Sequence, residues 1–227
     1  MLDKAIRKLR KDLHDLGTPL VTKNWQGMEN PPEFIEILNA SFEATMPMTY
    51  KEMERECNPS MPWAKEHFEE RVSGIPHNPP PSHKLWLKDS DKSLEANGKF
   101  SHSYPERMYK NLFTLVELFK KDPTTRQGFL PIWDLKEDGE MALQNRRVPC
   151  TLGWHFILRD SQLDCYYPMR SCDALRHFHN DIYFAACLTR WLIDKAELDA
   201  VPGTLSFHAV SFHCFSNDLY ALRRSIQ

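Results

Sequence analysis

VPCTLGWHFILRDSQLDCYYPMRSCDALRHFHND, residues 148–181, is the most informative stretch of the chain. It predicts two strands, over 148–159 and 163–169, because β-branched and aromatic residues dominate both. Asp160-Ser161 suits the turn that joins them. A long helix is expected over 173–197, since apolar residues recur there at helical spacing. Polar and reactive side chains fall at the junctions of these elements, so the stretch also holds many of the candidate site residues.

The flanking sequence adds further helices, strands and loops. Residues 1–16 carry apolar side chains at helical spacing, and 106–121 predicts a second helix that Asp122-Pro123 ends. The folded core is expected to begin with the partly strand-prone segment 31–44, further strands are expected at 129–135 and 205–215, and loops or turns at 76–81, 89–102 and 201–203.

The composition is typical of one folded enzyme domain. Of the 227 residues, 41% are hydrophobic and 26% charged. Lys+Arg 29 against Asp+Glu 31 gives a formal charge of -2, which is too small to attract a nucleic acid backbone or an anionic membrane. No apolar run reaches the roughly 20 residues that span a bilayer, and the charged N-terminal segment is unlike a signal peptide. We therefore expect a cytoplasmic protein without direct nucleic acid or membrane binding.

The cysteines and glycines narrow the class of site. The six cysteines include no C-x-x-C pair, which argues against a disulfide scaffold or a zinc ribbon and favours a reducing compartment. The eight glycines form no nucleotide-binding glycine-rich loop. One cysteine with a chemical role and five structural ones are compatible with this pattern.

Three groups of residues could carry chemistry: Cys150, the motif 170–173 (RSCD), and His208 with His213. Each has an ordinary structural interpretation as well. A strand cysteine is often a small core residue, and the motif could cap a helix. The histidines at 177, 179, 208 and 213 also allow a metal-dependent enzyme. No carboxylate accompanies them at dedicated ligand spacing, so we expect no metal.

In order, Pro149-Cys150, the 170–173 motif and His213 resemble the thymidylate synthase family, most closely the deoxycytidylate (dCMP) 5-hydroxymethylases of bacteriophages. The resemblance covers roughly residues 20–218. In this family the eleventh residue after the motif's arginine recognises the pyrimidine. Here that residue is Asp181, where thymidylate synthases carry asparagine and the hydroxymethylases carry aspartate.

The chemistry of the two bases agrees with this assignment. The uracil edge has an N3 donor and an O4 acceptor, which one amide group matches. Cytosine reverses the pattern, with N3 accepting and N4 donating. A carboxyl group can accept from N4–H and share a proton with N3, so Asp181 favours cytosine. A mismatched buried edge would cost about 1–3 kcal/mol.

The resemblance implies an α+β fold, with a mixed β-sheet packed with helices and a single domain over 1–227. It implies a homodimer formed through the sheets. If the chain is encoded by a phage, the expected compartment is the host cytoplasm.

The resemblance also implies a reaction. Cys150 would add to C6 of the pyrimidine, and C5 would then attack the methylene of 5,10-methylenetetrahydrofolate, the expected co-substrate. Water would finally add to the exocyclic methylene, so that dCMP becomes 5-hydroxymethyl-dCMP. Glu56 is expected to manage protons, with Glu54 as the alternative.

The remaining roles implied by the resemblance concern binding. Arg170 would bind the phosphate and favour the Cys150 thiolate. Arg126, contributed by the other subunit, would complete the phosphate site with Ser171. His213 would bind the sugar, and Trp86 and Asp173 would contact the folate.

Some positions depart from the family pattern. Gln127 follows Arg126 where a second arginine is usual, and Phe215 replaces a tyrosine. An N-terminal phosphate loop is absent, with Lys23 as its stand-in, and the closing C-terminal tail is expected to be short. These departures leave three alternatives open: a dUMP-modifying or thymidylate synthase-like enzyme, a CMP 5-hydroxymethylase, and a non-catalytic nucleotide-binding relative.

Overall fold

The computed structural model describes residues 1–23, 28, 30–86 and 94–226. The α-helices of this part are α1 (Leu2–Leu16), α2 (Tyr50–Cys57), α3 (Trp63–Val72), α4 (Tyr104–Lys121), α5 (Leu135–Leu143), α6 (Phe178–Ala196) and α7 (Leu219–Arg224). Short 3-10 helices span Pro81–Leu85 and Ser216–Asp218. No helix in the described ranges is both long and apolar enough to cross a membrane.

Six strands of the described residues form one mixed sheet: β1 (Thr18–Val21), β2 (Glu33–Thr45), β3 (Gly128–Pro131), β4 (Gly153–Arg159), β5 (Gln162–Asp173) and β6 (Val201–Phe215). Their order is β1-β2-β6-β5-β4-β3, and only β5 and β6 run parallel. This arrangement is the α+β class expected from the sequence.

The connections explain that topology. Strands β4 and β5 join through Asp160 and Ser161, both with positive φ, which is the backbone of a tight hairpin turn and matches the sequence expectation. A parallel pair cannot be joined by so short a loop, so the chain crosses from β5 to β6 through α6. The start of α6 therefore lies beside the carboxyl end of β5.

The core lies between the helices and one side of the sheet. Helix α6 packs on β5 and β6, α4 on β3, and α1 on β2. Helix α1 buries Leu2, Ile6, Leu9 and Leu13 at the spacing of one helical face. Apolar side chains of α4 and α6 meet those of the central strands in a single hydrophobic cluster.

Several element boundaries differ from those expected. The strand predicted over 148–159 begins only at Gly153, and residues 148–152 are irregular apart from one bridge at Thr151. Strand β5 extends through Asp173, so α6 begins at Phe178 rather than at 173. Residues 201–203 are the start of β6 and not a turn. Part of the loop predicted over 89–102 lies outside the described residues.

The burial pattern predicts a difference between two leucines. Leu112 of α4 is 0% exposed, whereas Leu143 of α5 is 87% exposed. We expect Leu112→Ala to lower the free energy of unfolding by about 2–5 kcal/mol, because it removes buried methyl groups and leaves a cavity. Leu143→Ala should change it by less than about 0.5 kcal/mol. Urea unfolding of both variants tests this, and equal losses would contradict the packing described.

Candidate active site

Cys150 lies in the irregular segment that precedes β4. Its carbonyl oxygen accepts a hydrogen bond from the backbone N–H of Arg170, at 2.9 Å. The next residue, Thr151, pairs with Met169 of β5 in an isolated bridge. These backbone contacts hold the cysteine against the end of β5, close to the 170–173 motif.

The side chain of Arg170 strengthens this attachment. Its Nε donates to the carbonyl oxygen of Pro149 at 2.8 Å, and its Nη2 donates to that of Val148 at 3.0 Å. The same Nη2 lies 3.9 Å from Sγ of Cys150. The guanidinium therefore positions the loop and brings a positive charge to the thiol.

The environment of Cys150 acts on its pKa in opposite directions. Burial raises the pKa of the thiol, the Arg170 charge lowers it, and the Asp181 charge raises it. Cys150 is half-buried, whereas the other five cysteines are buried, and all six are free. Among the cysteines of the chain, Cys150 thus combines access with an adjacent cation, which distinguishes a reactive thiol from structural ones.

The parallel register of β5 and β6 places Asp173 opposite His213. Ser171 Oγ lies 3.3 Å from Nδ1 of His213, so the predicted phosphate and sugar residues are neighbours. Burial is the main cause that lowers the pKa of His213. The edge of the His213 ring also contacts Phe34, with centroids 5.2 Å apart.

Asp173 makes the contacts of a capping residue. Its Oδ1 accepts from the backbone N–H groups of Leu175 at 3.0 Å and Arg176 at 2.8 Å. This supports the interpretation of the 170–173 motif as a cap for the turn before α6. The capping interaction and a folate contact through Oδ2 are compatible, and the second stays a prediction.

Asp181 lies in the first turn of α6 and is half-buried. Removal from water raises its pKa to about 7, the charge of Asp173 contributes in the same direction, and the charge of Arg71 opposes both. Near neutral pH this carboxyl group can therefore both donate and accept a proton.

Trp86 belongs to a group of stacked rings beside the start of α6. Its ring centroid lies 4.0 Å from that of Trp63 and 5.2 Å from that of His177, with which it stacks. His177 precedes Asp181 by one helical turn. The rings form an aromatic group at the start of α6, and the folate contact predicted for Trp86 stays a prediction.

Glu56 makes its contacts with the start of α1. Its carboxylate accepts from the N-terminal amine and from the backbone N–H of Leu2, the latter at 2.8 Å, so it caps α1. Glu54 on the same helix is exposed. The catalytic role predicted for Glu56 therefore stays a prediction that its contacts do not support.

The two other predicted cations lie on the surface. Arg126 is exposed in the loop between α4 and β3, where its carbonyl oxygen lies 3.0 Å from Nε2 of His155. Lys23 is exposed after β1, next to residues that are outside the described part. The structure of one chain does not bring either side chain to Cys150.

Sequence reasoning missed a polar network behind Cys150. The hydroxyl of Tyr104 donates to Oγ1 of Thr151 at 3.2 Å, and Oγ1 lies 2.8 Å from the hydroxyl of Tyr167. The Tyr104 ring also lies under the guanidinium of Arg71, with 4.2 Å between Cζ and the ring centroid. Arg71, a charged residue on the buried face of α3, could have indicated this network, but α3 was not predicted from the sequence.

A second polar group that the sequence analysis missed involves His67 and Glu70 of α3. His67 Nδ1 lies 3.1 Å from Ser82 Oγ and 3.4 Å from Glu70 Oε2. Burial lowers the pKa of His67 to about 4, so its ring is neutral at physiological pH.

In the described ranges, no group of three or more His, Cys, Asp or Glu side chains is arranged to hold a metal ion.

A sequence model of the family described as thymidylate synthase matches residues 69–227, which is more than half of the chain. The chain belongs to the thymidylate synthase family. The match includes Cys150, the 170–173 motif, Asp181 and His213. The finer resemblance to the dCMP hydroxymethylases is not part of this finding.

Two individual relatives agree with the family assignment. A curated thymidylate synthase from Rhizorhabdus wittichii is 29% identical over 134 residues, which are 59% of this chain and 41% of that protein. The solved structure of thermostable thymidylate synthase A from Bacillus subtilis superposes with a TM-score of 0.75 at 16% identity, covering 99% of this chain and 83% of that one. The expected thymidylate synthase-like fold is thereby confirmed.

In this member of the thymidylate synthase family, the cation beside the thiol predicts an alkylation profile. Arg170→Met should raise the pKa of Cys150, because the substitution removes the charge that lowers it. We expect alkylation of Cys150 by iodoacetamide at pH 8 to slow by about tenfold, equivalent to one pKa unit.

The rate can be measured by mass spectrometry of the Cys150 peptide from pH 6 to 10. Arg170→Lys keeps the charge and is the matched control, which should retain most of the rate. An unchanged profile in Arg170→Met would show that Arg170 does not act on the thiol.

Proposed function

We propose that this protein is a folate-dependent pyrimidine nucleotide 5-hydroxymethylase that converts dCMP to 5-hydroxymethyl-dCMP. The observation that carries the proposal is Asp181, a half-buried carboxyl group with a pKa raised to about 7. Two further observations support the proposal: Nη2 of Arg170 lies 3.9 Å from Sγ of Cys150, and the chain belongs to the thymidylate synthase family.

The preference for cytosine follows from proton positions. An asparagine at position 181 would pair with the N3–H and O4 of uracil. The Asp181 carboxyl can accept from the cytosine amino group and hold a proton between itself and N3. Because its pKa lies near neutrality, sharing that proton requires little free energy.

The proposed reaction begins at Cys150. The Cys150 thiolate adds to C6, and the electron pair reaches C5, which bonds to the methylene carbon of the folate co-substrate as one of the two C–N bonds of that carbon breaks. C5 then loses its proton to water, the second C–N bond breaks with its electron pair going to nitrogen, and tetrahydrofolate leaves behind an exocyclic methylene. Water adds to this carbon and loses a proton, and the C6–S bond breaks to return the thiolate. The product carries a 5-hydroxymethyl group.

Binding would involve residues of β5 and β6 and residues from other parts of the chain. Arg170 and Ser171 would contact the nucleotide phosphate, and His213 would contact the sugar. Arg126 is exposed, as a residue that reaches the phosphate of a second subunit must be, and we propose a homodimer on this basis. Trp86 and Asp173 would contact the folate, and Lys23 remains a further candidate for the phosphate.

Release of tritium from C5 tests the reaction. The protein is incubated with methylenetetrahydrofolate and with dCMP, dUMP or CMP tritiated at C5, and the water is counted. We expect release from dCMP and formation of 5-hydroxymethyl-dCMP, both lost in Cys150→Ala. Release from dUMP alone or from CMP alone would refute the dCMP assignment. Tight nucleotide binding without release would indicate a binding protein.

A substitution of Asp181 tests which group selects the base. Asp181→Asn should shift the ratio of kcat/KM values for dCMP and dUMP toward dUMP by about 10-fold to 100-fold, since each mismatched polar contact costs about 1–3 kcal/mol. The control is Asp194→Asn, on the exposed end of α6, where the carboxylate pairs with Arg190. An equal ratio in both variants would rule out Asp181 as the selecting group.

A further inference from the structure

Arg71 is a buried cation that the proposed reaction does not yet use. It lies in the last turn of α3 and is 5% exposed. Its Cζ lies 4.2 Å from the ring centroid of Tyr104 and 4.1 Å from that of Phe184, so two aromatic faces enclose the guanidinium. Its Nε is buried and has no hydrogen-bond partner. A charge so poorly solvated is stabilised by a counter-charge nearby.

Two carboxylates act on the Arg71 charge, Asp181 of α6 and Glu70 of α3 itself, and only Asp181 belongs to the proposed base site. Phe184 follows Asp181 by three residues on α6, so both project from the same face of the helix toward α3. The Arg71 charge lowers the pKa of Asp181. Burial is the main cause that lowers the pKa of Arg71, and Asp181 is among the groups that oppose it, with Tyr104, Tyr167 and Glu70. On its other side Arg71 contacts Tyr104, whose hydroxyl donates to Thr151 beside Cys150.

We propose that Arg71 is a specificity-determining residue. Its buried positive charge stabilises the complex in which the shared proton lies on the base and Asp181 is ionised, and it therefore favours cytosine over uracil. The proposal rests on the proposed function, because it concerns the base that Asp181 recognises. Helix α3 would then take part in base selection through Arg71, a role that neither Cys150 nor the 170–173 motif has.

The two bases differ in where the shared proton can lie. With cytosine the proton can move to N3, which leaves an Asp181 carboxylate that keeps its attraction to Arg71. With uracil the proton must stay on Asp181 to donate to O4, because O4 is a very weak base, and the attraction to Arg71 is lost. Arg71 thus stabilises only the cytosine complex. Protonation of N3 also withdraws electrons from the ring, which makes C6 more open to attack by Cys150.

The other groups near Asp181 do not supply the same effect. Arg71 on α3 is the cation that lowers the Asp181 pKa, whereas Asp173 on β5 raises it. Asp181 in turn raises the pKa of each of its other titratable neighbours, Cys150, Tyr104, Tyr167 and Cys172. Those groups are neutral in their protonated forms and offer no positive charge to a carboxylate.

The test compares Arg71→Met, Arg71→Gln and Arg71→Lys in the full chain. We expect the dCMP over dUMP ratio of kcat/KM to fall by about tenfold in the two neutral variants and to be largely kept in Arg71→Lys. Arg190→Met, which removes a surface arginine of α6, should leave the ratio unchanged. The Gln variant covers the case in which Arg71→Met does not fold.

A second measurement needs no turnover. Carbon-13 NMR of the Asp181 carboxyl in the free protein should show a higher pKa in Arg71→Gln than in the parent and a nearly parental value in Arg71→Lys. An unchanged Asp181 pKa, or a shifted pKa with an unchanged base ratio, would overturn the proposal. If the parent protein modifies only dUMP, the proposed function fails, while the NMR titration still reports whether the two charges interact.

Discussion

The attachment of residues 148–150 to β5 by Arg170 is the interaction on which the candidate site depends. The Arg170 guanidinium donates to the carbonyl oxygens of Val148 and Pro149, and the backbone N–H of Arg170 donates to the carbonyl oxygen of Cys150. These three hydrogen bonds attach an irregular segment to the end of β5. The same guanidinium opposes the rise in the Cys150 pKa that burial causes, so position and reactivity of the thiol have a common origin.

The crossover through α6 brings the second half of the site to the same place. Because β5 and β6 are parallel, the chain must leave the end of β5 by a helix, and Asp173 caps the turn into it. Asp181 then lies in the first turn of α6, three residues before Phe184, whose ring contacts Arg71 in the last turn of α3. The candidate site thus combines a thiol and a cation at the end of β5 with a carboxyl group at the start of α6.

Much of this could be predicted from local sequence, and the failures have physical causes. The hairpin turn at Asp160, α4 and most of α6 follow from turn residues and apolar spacing. Helix α3 was missed because Arg71 and His67 are buried there, so its burial pattern does not follow residue polarity. The contact of Glu56 with the N-terminal amine joins residues that are distant in sequence, a pairing that only the tertiary structure shows.

In the proposed reaction Cys150 attacks a cytosine nucleotide held by Asp181, and trapping of the covalent adduct tests this step. A 5-fluoro nucleotide can accept the thiolate and the folate methylene but cannot lose fluorine as a cation, so the reaction stops at a covalent complex. Mass spectrometry of the protein incubated with methylenetetrahydrofolate and 5-fluoro-dCMP should show the nucleotide and folate joined to the Cys150 peptide. An adduct that forms only with 5-fluoro-dUMP, or on a different cysteine, would contradict the account.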